Sequence, residues 1–168
     1  MQYRFRAATS AYVNPFDRQT DADRHHIWQR LVAADSEAFA LGDWSMIESD
    51  FDPKAFEGVR CSHSTNPDDW KIVFPDLASY RDSWLAASEE FRTKKFAKLS
   101  HLDALLARTQ LNEIEINGDR ALAHKKFFGE VLLADGSLLA DRRQTLYRLH
   151  RRGGVWKIVG FFGQLPLD

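Results

Sequence analysis

The chain has 168 residues, a length that suits one domain, and because 44% of them are hydrophobic, wholesale disorder is not expected. Its 23 basic and 24 acidic side chains leave a net charge of −1, which argues against nucleic acid or an anionic membrane as a partner. Cys61 is the only cysteine, which excludes an intrachain disulfide, and no stretch resembles a signal peptide or a membrane span, so we expect a soluble, cytoplasmic protein.

The first part of the chain is predicted to be an arm followed by a long helix. We assign residues 1–19 to the arm and residues 20–168 to a single domain. Thr20 and Asp23 form a potential capping box, and Gly42 is placed to end the helix. Between them, apolar residues recur at spacings of three and four, which predicts one apolar stripe: Ile27, Leu31, Ala34, Ala38 and Leu41.

The middle of the chain is predicted to hold short elements and a third helix. Asp43 suits the N-cap of a short second helix, and residues 58–64 and 70–74 read as two short strands. The third helix opens after Asp76 and carries apolar and aromatic residues at helical spacing: Leu77, Tyr80, Trp84, Ala87 and Phe91. From about Leu102 onward we expect strands.

The last third of the chain is predicted to be an antiparallel meander. Asn117-Gly118 and Asp135-Gly136 provide the positive φ angles of tight hairpin turns, and each lies between strand-like runs. Helices segregated from antiparallel strands define the α+β class. We therefore expect a curved antiparallel sheet wrapped against helices from the first half of the chain.

In this order, three segments resemble the nuclear transport factor 2-like (NTF2-like) superfamily, in particular its SnoaL-like and ketosteroid isomerase-like branch. They are IWQRLVAADSEAFALGDWSMIESDF, EIEINGDRALA and TLYRLHRRGGVWKIVGFFG. The resemblance implies that the curved sheet forms a cone closed by about three helices from the first half of the chain. It also implies a small-molecule pocket inside the cone and a homodimer formed through the outer face of the sheet. It does not imply one activity, because the superfamily includes several kinds of enzyme as well as binding modules. The aspartate, tyrosine and protonated acid of the isomerase branch are not matched, since Asp43 fits a helix cap better than a catalytic base.

Doubled charges within strands indicate which side chains line the pocket. Successive side chains of a strand point to opposite faces, so one of Lys125 and Lys126 faces inward, as does one of Arg142 and Arg143. Residues separated by two positions on a strand share a face. Ala121 and Ala123 share a face with Lys125, and Thr145, Tyr147 and Leu149 share one with Arg143, so we expect Lys125 and Arg143 to be the inward cations. On the last strand, the parity of Trp156, Ile158 and Phe162 marks the inner face.

An inward cation needs a counter-charge, water or an anionic ligand. Glu130 is the candidate internal partner, and the alternative is that both cations lie at the rim with solvated charges. We expect Lys125 or Arg143 to bind an anionic substituent of a ligand, in a pocket to which Trp84, Glu130 and Tyr147 also contribute.

Two residues are candidates for catalysis. His63 is expected on the first short strand, where its pKa range suits a general acid or base. Tyr80 is expected to face the sheet and to donate a hydrogen bond to a developing oxyanion. No metal-ligand spacing, nucleotide-binding glycine motif or serine nucleophile motif is present, so we predict no metal and no cofactor.

The hypothesis is therefore an isomerase, cyclase or lyase acting on a carbonyl-bearing or aromatic compound. The alternatives are a noncatalytic ligand-binding or dimerisation module and an accessory subunit of a larger enzyme.

Overall fold

The computed structural model describes residues 13–167 and contains a helical layer packed on one sheet. The first helical stretch has three parts, α1 (Ala22–Trp28), a π-helical turn (Gln29–Ala34) and α2 (Asp35–Leu41). Three short 3-10 turns follow along the chain, at Trp44–Met46, Glu48–Asp50 and Pro67–Asp69. The other helices are α3 (Leu77–Thr93) and α4 (His101–Leu106).

The sheet has seven strands in the described part of the chain, and its three long strands are the last three. The strands are β1 (Glu57–Arg60), β2 (Lys71–Phe74), β3 (Thr109–Gln110), β4 (Ile114–Asn117), β5 (Arg120–Leu132), β6 (Leu138–Arg152) and β7 (Val155–Pro166). Their order is β2-β1-β7-β6-β5-β3, and β4 also pairs with β5. All pairs are antiparallel except β1 with β7. The α+β class and the curved sheet are therefore as expected, but the sheet is mixed because the β1–β2 hairpin joins it through a parallel edge.

The two predicted hairpin turns are present. Gly118 (φ 58°) connects β4 to β5, and Gly136 (φ 87°) connects β5 to β6, each with the left-handed backbone that glycine adopts without a steric penalty. The β5–β6 pairing runs without interruption from Arg120 opposite His150 to Leu132 opposite Leu138. This long ribbon of β5 and β6 forms the main part of the sheet.

Two predicted boundaries were wrong. The first short strand ends at Arg60 instead of Ser64, because Ser62 and His63 have left-handed backbone angles (φ 52° and 57°) that end an extended strand. A helix, α4, occupies residues 101–106, where strands were expected. Ser100 caps it by accepting a hydrogen bond from the Asp103 amide at 3.0 Å, so a local capping interaction decides this segment.

A β-bulge in β7 overturns the expected inward direction of Phe162. The pairing with β6 shifts between Arg148 opposite Gly160 and Leu149 opposite Ile158, so β7 has one extra residue and its alternation changes. Ile158 and Phe161 consequently both join the core cluster. Phe162 lies on the other face, where its ring is 5.7 Å from that of Trp70.

The core lies between the helical layer and the concave face of the sheet. Ile27, Leu31 and Ala38 of the predicted helical stripe are buried, whereas Leu41 is exposed. The π-helical turn interrupts the 3.6-residue periodicity of the helix. An apolar stripe predicted from that periodicity therefore no longer matches the buried face after the turn. Of the predicted arm, residues 1–12 lie outside the described residues, and Phe16 packs against the core. No helix in residues 13–167 has the length and apolarity to cross a bilayer.

Candidate functional site

A cavity of about 400 Å³ lies under the curved sheet, between α2, α3 and the inner faces of β5, β6 and β7. This volume is within the range of small-molecule sites. Its walls are largely aromatic, with Phe39, Phe74, Trp84, Phe127 and Phe161 among the lining residues. Exposed residues of the lining, such as Arg60, Ser83 and Gln164, mark where the cavity opens to solvent.

An ion pair between Asp35 and Lys125 forms one polar group in the cavity wall. The Lys125 ammonium lies 2.7 Å from Asp35 Oδ2 and donates a second hydrogen bond to the Leu31 carbonyl oxygen at 2.5 Å. Lys125 is only 1% exposed, so both interactions compensate for the burial of its charge. Lys126 of the same doublet pairs with Glu113 instead, at 3.0 Å. The prediction that Lys125 points inward is confirmed.

The backbone of the first helical stretch explains how Asp35 and the Leu31 carbonyl are presented together. Leu31 lies in the π-helical turn and Asp35 follows directly after it. In a π-helical turn the carbonyls bond to amides five residues ahead, and such turns are often found at functional sites. Trp84 Nε1 lies 3.4 Å from Asp35 Oδ1, so both carboxylate oxygens have a donor nearby. The carboxylate retains 26% exposure and lines the cavity, where a bound molecule can contact it.

Two tyrosines, Tyr80 and Tyr147, line the same cavity as Asp35. Burial is the main cause that raises the pKa of Tyr80 well above its usual value, and the neighbouring Tyr147 and Asp35 contribute in the same direction. Burial also raises the pKa of Tyr147, again with a contribution from Asp35. Both side chains therefore stay neutral phenols at physiological pH, which is the state that donates a hydrogen bond.

Aromatic packing holds the Tyr80 ring in position. It stacks on Phe56 with 5.3 Å between ring centroids, lies 5.0 Å from Phe161, and meets Phe74 edge-on at 5.4 Å. Such ring contacts each add to the stability gained from burial alone. A hydroxyl on a ring enclosed on several sides has a defined direction.

A second polar cluster contains two arginines and one aspartate. Arg108 is buried, bonds the Ala104 carbonyl oxygen through Nε at 3.0 Å and pairs with Asp141 through a terminal nitrogen. Arg143 approaches the other oxygen of Asp141 through Nε at 3.4 Å. The Arg143 guanidinium also lies over the ring of Phe127, 4.1 Å from its centroid. Burial is the main cause that lowers the pKa of Arg108, and the charge of Arg143 contributes to the same shift.

Five of the seven predicted site residues line this cavity, and two do not. Those that line it are Tyr80, Trp84, Lys125, Arg143 and Tyr147. His63 is exposed in the turn after β1, and Glu130 is exposed on the outward-facing side of β5. The carboxylates that meet the inward cations are Asp35 and Asp141, and not Glu130.

Three charged residues of the cavity lining were missed by sequence reasoning. Asp35 is an acidic residue at helical spacing from Leu31, within the predicted apolar stripe, and that position was a usable signal. Asp141 has the parity of Arg143 on the same strand, which placed it on the inner face. Arg108 had no local signal, because its direction depends on the turn between α4 and β3. Asp43 caps the 3-10 turn after α2, accepting from the Ser45 amide at 3.0 Å, as expected.

No protein-family model matches the sequence, and no curated protein matches it as a relative. Solved structures with the same fold include an NTF2-like protein of unknown function from Pseudomonas putida KT2440, at 15% identity and a TM-score of 0.53, covering 85% of this chain and 86% of that one. Another is Aln2 from a Streptomyces species, at 13% identity and a TM-score of 0.55, covering 83% and 87%. A third is a domain of unknown function with a cystatin-like fold from Nostoc punctiforme, at 16% identity and a TM-score of 0.53, covering 89% and 81%.

These likenesses show the fold. The chain has the NTF2-like, cystatin-like fold, as its sequence motifs predicted. At these identities the neighbours do not define an activity, so the function must be argued from the cavity itself.

Proposed function

We propose that the protein binds a small, mainly apolar molecule with a carbonyl group in the cavity and moves a proton on it, as an isomerase, cyclase or lyase does. The observation that carries this proposal is the convergence of one carboxylate, Asp35, and two neutral phenols, Tyr80 and Tyr147, on one aromatic-walled cavity. A carboxylate base and neutral hydrogen-bond donors are the two groups that enolate chemistry requires.

In this mechanism, Asp35 removes a proton from the carbon next to the carbonyl. The negative charge that develops on the carbonyl oxygen accepts a hydrogen bond from a tyrosine hydroxyl, and the presence of Tyr147 and Tyr80 in the cavity lining supports this assignment. The proton then returns from Asp35 to another carbon, or a leaving group departs from the neighbouring carbon. Lys125 and Trp84 orient the carboxylate through the contacts described above.

This proposal assigns to Asp35 the proton transfer that the sequence suggested for His63. His63 lies in an exposed turn, whereas a base must reach the substrate proton within hydrogen-bonding distance. His63 therefore provides a control variant. Asparagine is the suitable replacement, because it tolerates the left-handed backbone of this position better than most residues do.

The experiment is deuterium exchange of bound ketones followed by NMR. Cyclic and aryl ketones that bind the protein are incubated in D₂O, and the loss of the α-proton signal is measured. We expect exchange with the wild type and with His63→Asn, and none above background with Asp35→Asn. Tyr147→Phe should slow exchange by roughly 10²- to 10³-fold, the usual cost of removing one oxyanion donor. If Asp35→Asn exchanged protons at the wild-type rate, the proposed base would be wrong.

A noncatalytic binding role is the second candidate, and one observation favours it. Both oxygens of Asp35 have a nearby donor, from Lys125 and from Trp84, so the carboxylate is already engaged before a ligand binds. A binding module predicts that the ketones bind with the same dependence on Tyr147 but exchange no protons. The same NMR samples therefore separate the two functions.

We further propose a homodimer formed through the convex face of the sheet. His124, Leu146 and Phe162 are cross-strand neighbours on this face, next to Trp70. Leu146 and Phe162 are half-buried in the single chain, so part of each side chain remains accessible on this face. A second copy packed here would cover these apolar residues.

The test is the mass in solution of the wild type and of Leu146→Glu, measured by light scattering. The variant places a charge on the convex face and should convert a dimer to a monomer while ketone binding in the cavity is retained. A wild type that is monomeric at micromolar concentration would refute the dimer and leave the cavity proposal intact.

A further inference from the structure

The cavity is much more positive than the molecule as a whole. Two acidic side chains, Asp35 and Asp141, are among its lining residues. Five basic side chains line it as well: Arg60, Lys94, Arg108, Lys125 and Arg143. The whole chain has a net charge of −1, so a local excess of three positive charges is a property of this site.

The excess positive charge is not spread evenly over the cavity lining. Lys125 is neutralised by Asp35 in a one-to-one pair. Lys94 and Arg60 lie toward solvent, where Lys94 is 3.8 Å from Glu90 and Arg60 is exposed, so water screens both charges. The excess positive charge that remains inside the cavity therefore lies at the second polar cluster, formed by Arg108, Asp141 and Arg143.

In that cluster, one carboxylate serves two guanidinium groups. Asp141 meets the buried Arg108 with one oxygen and Arg143 with the other. Arg108 also donates to a backbone carbonyl, which carries no formal charge. The cluster therefore has a net charge of +1 in a partly buried environment, a state that a bound anion would stabilise.

The geometry of Arg143 makes it the group that meets such an anion. Its flat face lies on the Phe127 ring, and its one hydrogen bond to a residue in 13–167 uses Nε. The two terminal nitrogens make no hydrogen bond to any residue in that range, and the side chain lines the cavity with 31% exposure. A planar guanidinium fixed in this way presents two parallel donors, which matches the two oxygens of a carboxylate.

We propose that the cavity selects a monoanionic ligand, a carboxylate attached to an apolar or aromatic body, and that Arg143 is the receptor for its carboxylate. The apolar body would lie against the aromatic walls. The carbonyl end would point toward Asp35, Tyr80 and Tyr147. The inference rests on the proposed use of the cavity for a small molecule, and it names the class of that molecule.

The experiment compares acids with their own methyl esters. Benzoic, 2-naphthoic and 4-biphenylcarboxylic acids and the three esters are titrated into the protein, and dissociation constants are measured by ligand-observed NMR. Each acid and its ester share one apolar body, so their ratio isolates the charge. For the wild type we expect at least one acid to bind roughly 10- to 100-fold more tightly than its ester, the range of a charge-assisted hydrogen-bonded pair.

The variants Arg143→Gln and Arg143→Lys identify the receptor, and Arg142→Gln is the control. Arg142 is the neighbouring member of the doublet, exposed on the opposite face, where it bonds the Leu167 carbonyl oxygen. We expect Arg143→Gln to remove the preference for the acid, Arg143→Lys to keep part of it, and Arg142→Gln to leave it unchanged. Because the readout is a ratio, a general loss of stability in a variant does not imitate the expected result.

Three outcomes would overturn the inference. Equal affinity of acid and ester for the wild type would show that the cavity does not select an anion, and binding of both would leave the proposed small-molecule function standing. An acid preference that survives in Arg143→Gln would place the receptor elsewhere. Absence of binding by all six compounds would exclude this ligand class, and absence of binding by the neutral ketones as well would remove the proposed function.

Discussion

The same strands build two unlike halves of the interior. In the filled half, Ala121 and Ala123 of β5, Leu149 of β6 and Ile158 of β7 pack in the main core cluster under α1. In the hollow half, Lys125, Phe127 and Arg143 face inward and line the cavity under α2 and α3. Tyr147 and Phe161 lie at the boundary, because they belong to the core cluster and also line the cavity. Between the two halves the strands change from small and aliphatic residues to charged and aromatic ones.

This difference shows how an antiparallel sheet can carry both a core and a site. The long ribbon of β5 and β6 is held by continuous backbone hydrogen bonds, so its geometry does not depend on filling the space beneath it along its whole length. The filled half supplies apolar burial, and the hollow half can present polar groups that a packed core would exclude. Substitutions in the filled half and in the hollow half should therefore have different effects on the free energy of unfolding.

The largest effect is expected at the boundary, from Lys125→Met. The substitution leaves Asp35 and the Leu31 carbonyl without their charged donor, and loss of one member of a buried pair typically costs about 3 to 5 kcal/mol. Since Asp35 keeps some access to water, we expect a loss of about 3 kcal/mol in the free energy of unfolding, measured in urea. The double variant Lys125→Met/Asp35→Leu should recover most of this loss. Equal losses in the single and double variants would show that the pairing itself contributes little.

A comparable effect is expected from truncation in the filled half. Leu149 is 4% exposed, so Leu149→Ala should lower the free energy of unfolding by about 3 kcal/mol, through lost burial and the new void. The matched variant in the hollow half is Phe74→Leu, which shortens a half-buried residue beside space that is already empty, and it should cost about 1 kcal/mol or less. Similar costs for both would mean that the two halves are equally well packed.

Strand alternation predicted much of the hollow half from the sequence. It identified Lys125, Arg143 and Tyr147 as inward residues because β5 and β6 pair without a break along that stretch. It was wrong for Phe162 because the bulge in β7 has no signature strong enough to recognise in the sequence alone. Asp35 was missed for a different reason. Helical spacing placed it next to Leu31, but its partner Lys125 is 90 residues away along the chain, and only the folded structure brings the two together.

The start of α1 shows that contacts between residues distant in sequence can take the place of a predicted local capping interaction. Thr20 and Asp23 were expected to form a capping box, but α1 begins after Asp21 without a side-chain capping bond. Asp23 instead accepts hydrogen bonds from Trp156 Nε1 at 2.9 Å and from Arg151 at 3.0 Å. These partners belong to the last two strands, so no rule based on neighbouring residues could find them.

The boundary between the halves can also be tested in β7, at Gly160. A Cβ added there would lie 2.3 Å from the Glu57 carbonyl oxygen, in the parallel strand β1. Gly160→Ala should therefore push β1 away and cost about 2 kcal/mol, a typical penalty for overpacking. The control is Gly154→Ala, where the new methyl meets no atom within 4 Å and only the left-handed backbone (φ 78°) is penalised, by about 1 kcal/mol. Urea unfolding measures both, and an equal cost would mean that the close approach to β1 relaxes freely.

The smallest effect concerns His150 of β6, which lies among three arginines, one of which, Arg152, pairs with Asp52 at 3.3 Å. Burial lowers the pKa of His150, and Arg120, Arg152 and Arg148 lower it further, while Asp52 opposes them. As the pH falls through about 6.5, the unfolded chain therefore takes up a proton at this residue before the folded protein does. The folded state consequently loses stability below that pH, and the contribution vanishes above it.

His150→Gln should remove this part of the pH dependence, because glutamine keeps a hydrogen-bond acceptor for Arg120 but does not titrate. The measurement is the free energy of unfolding in urea for both proteins at pH values of about 7.5 and 5.5, on either side of the histidine range. The wild type should lose more stability between the two pH values than the variant does. An unchanged difference would mean that the exposed arginines are screened so well that only charges enclosed in the cavity, such as Arg108 and Arg143, affect one another.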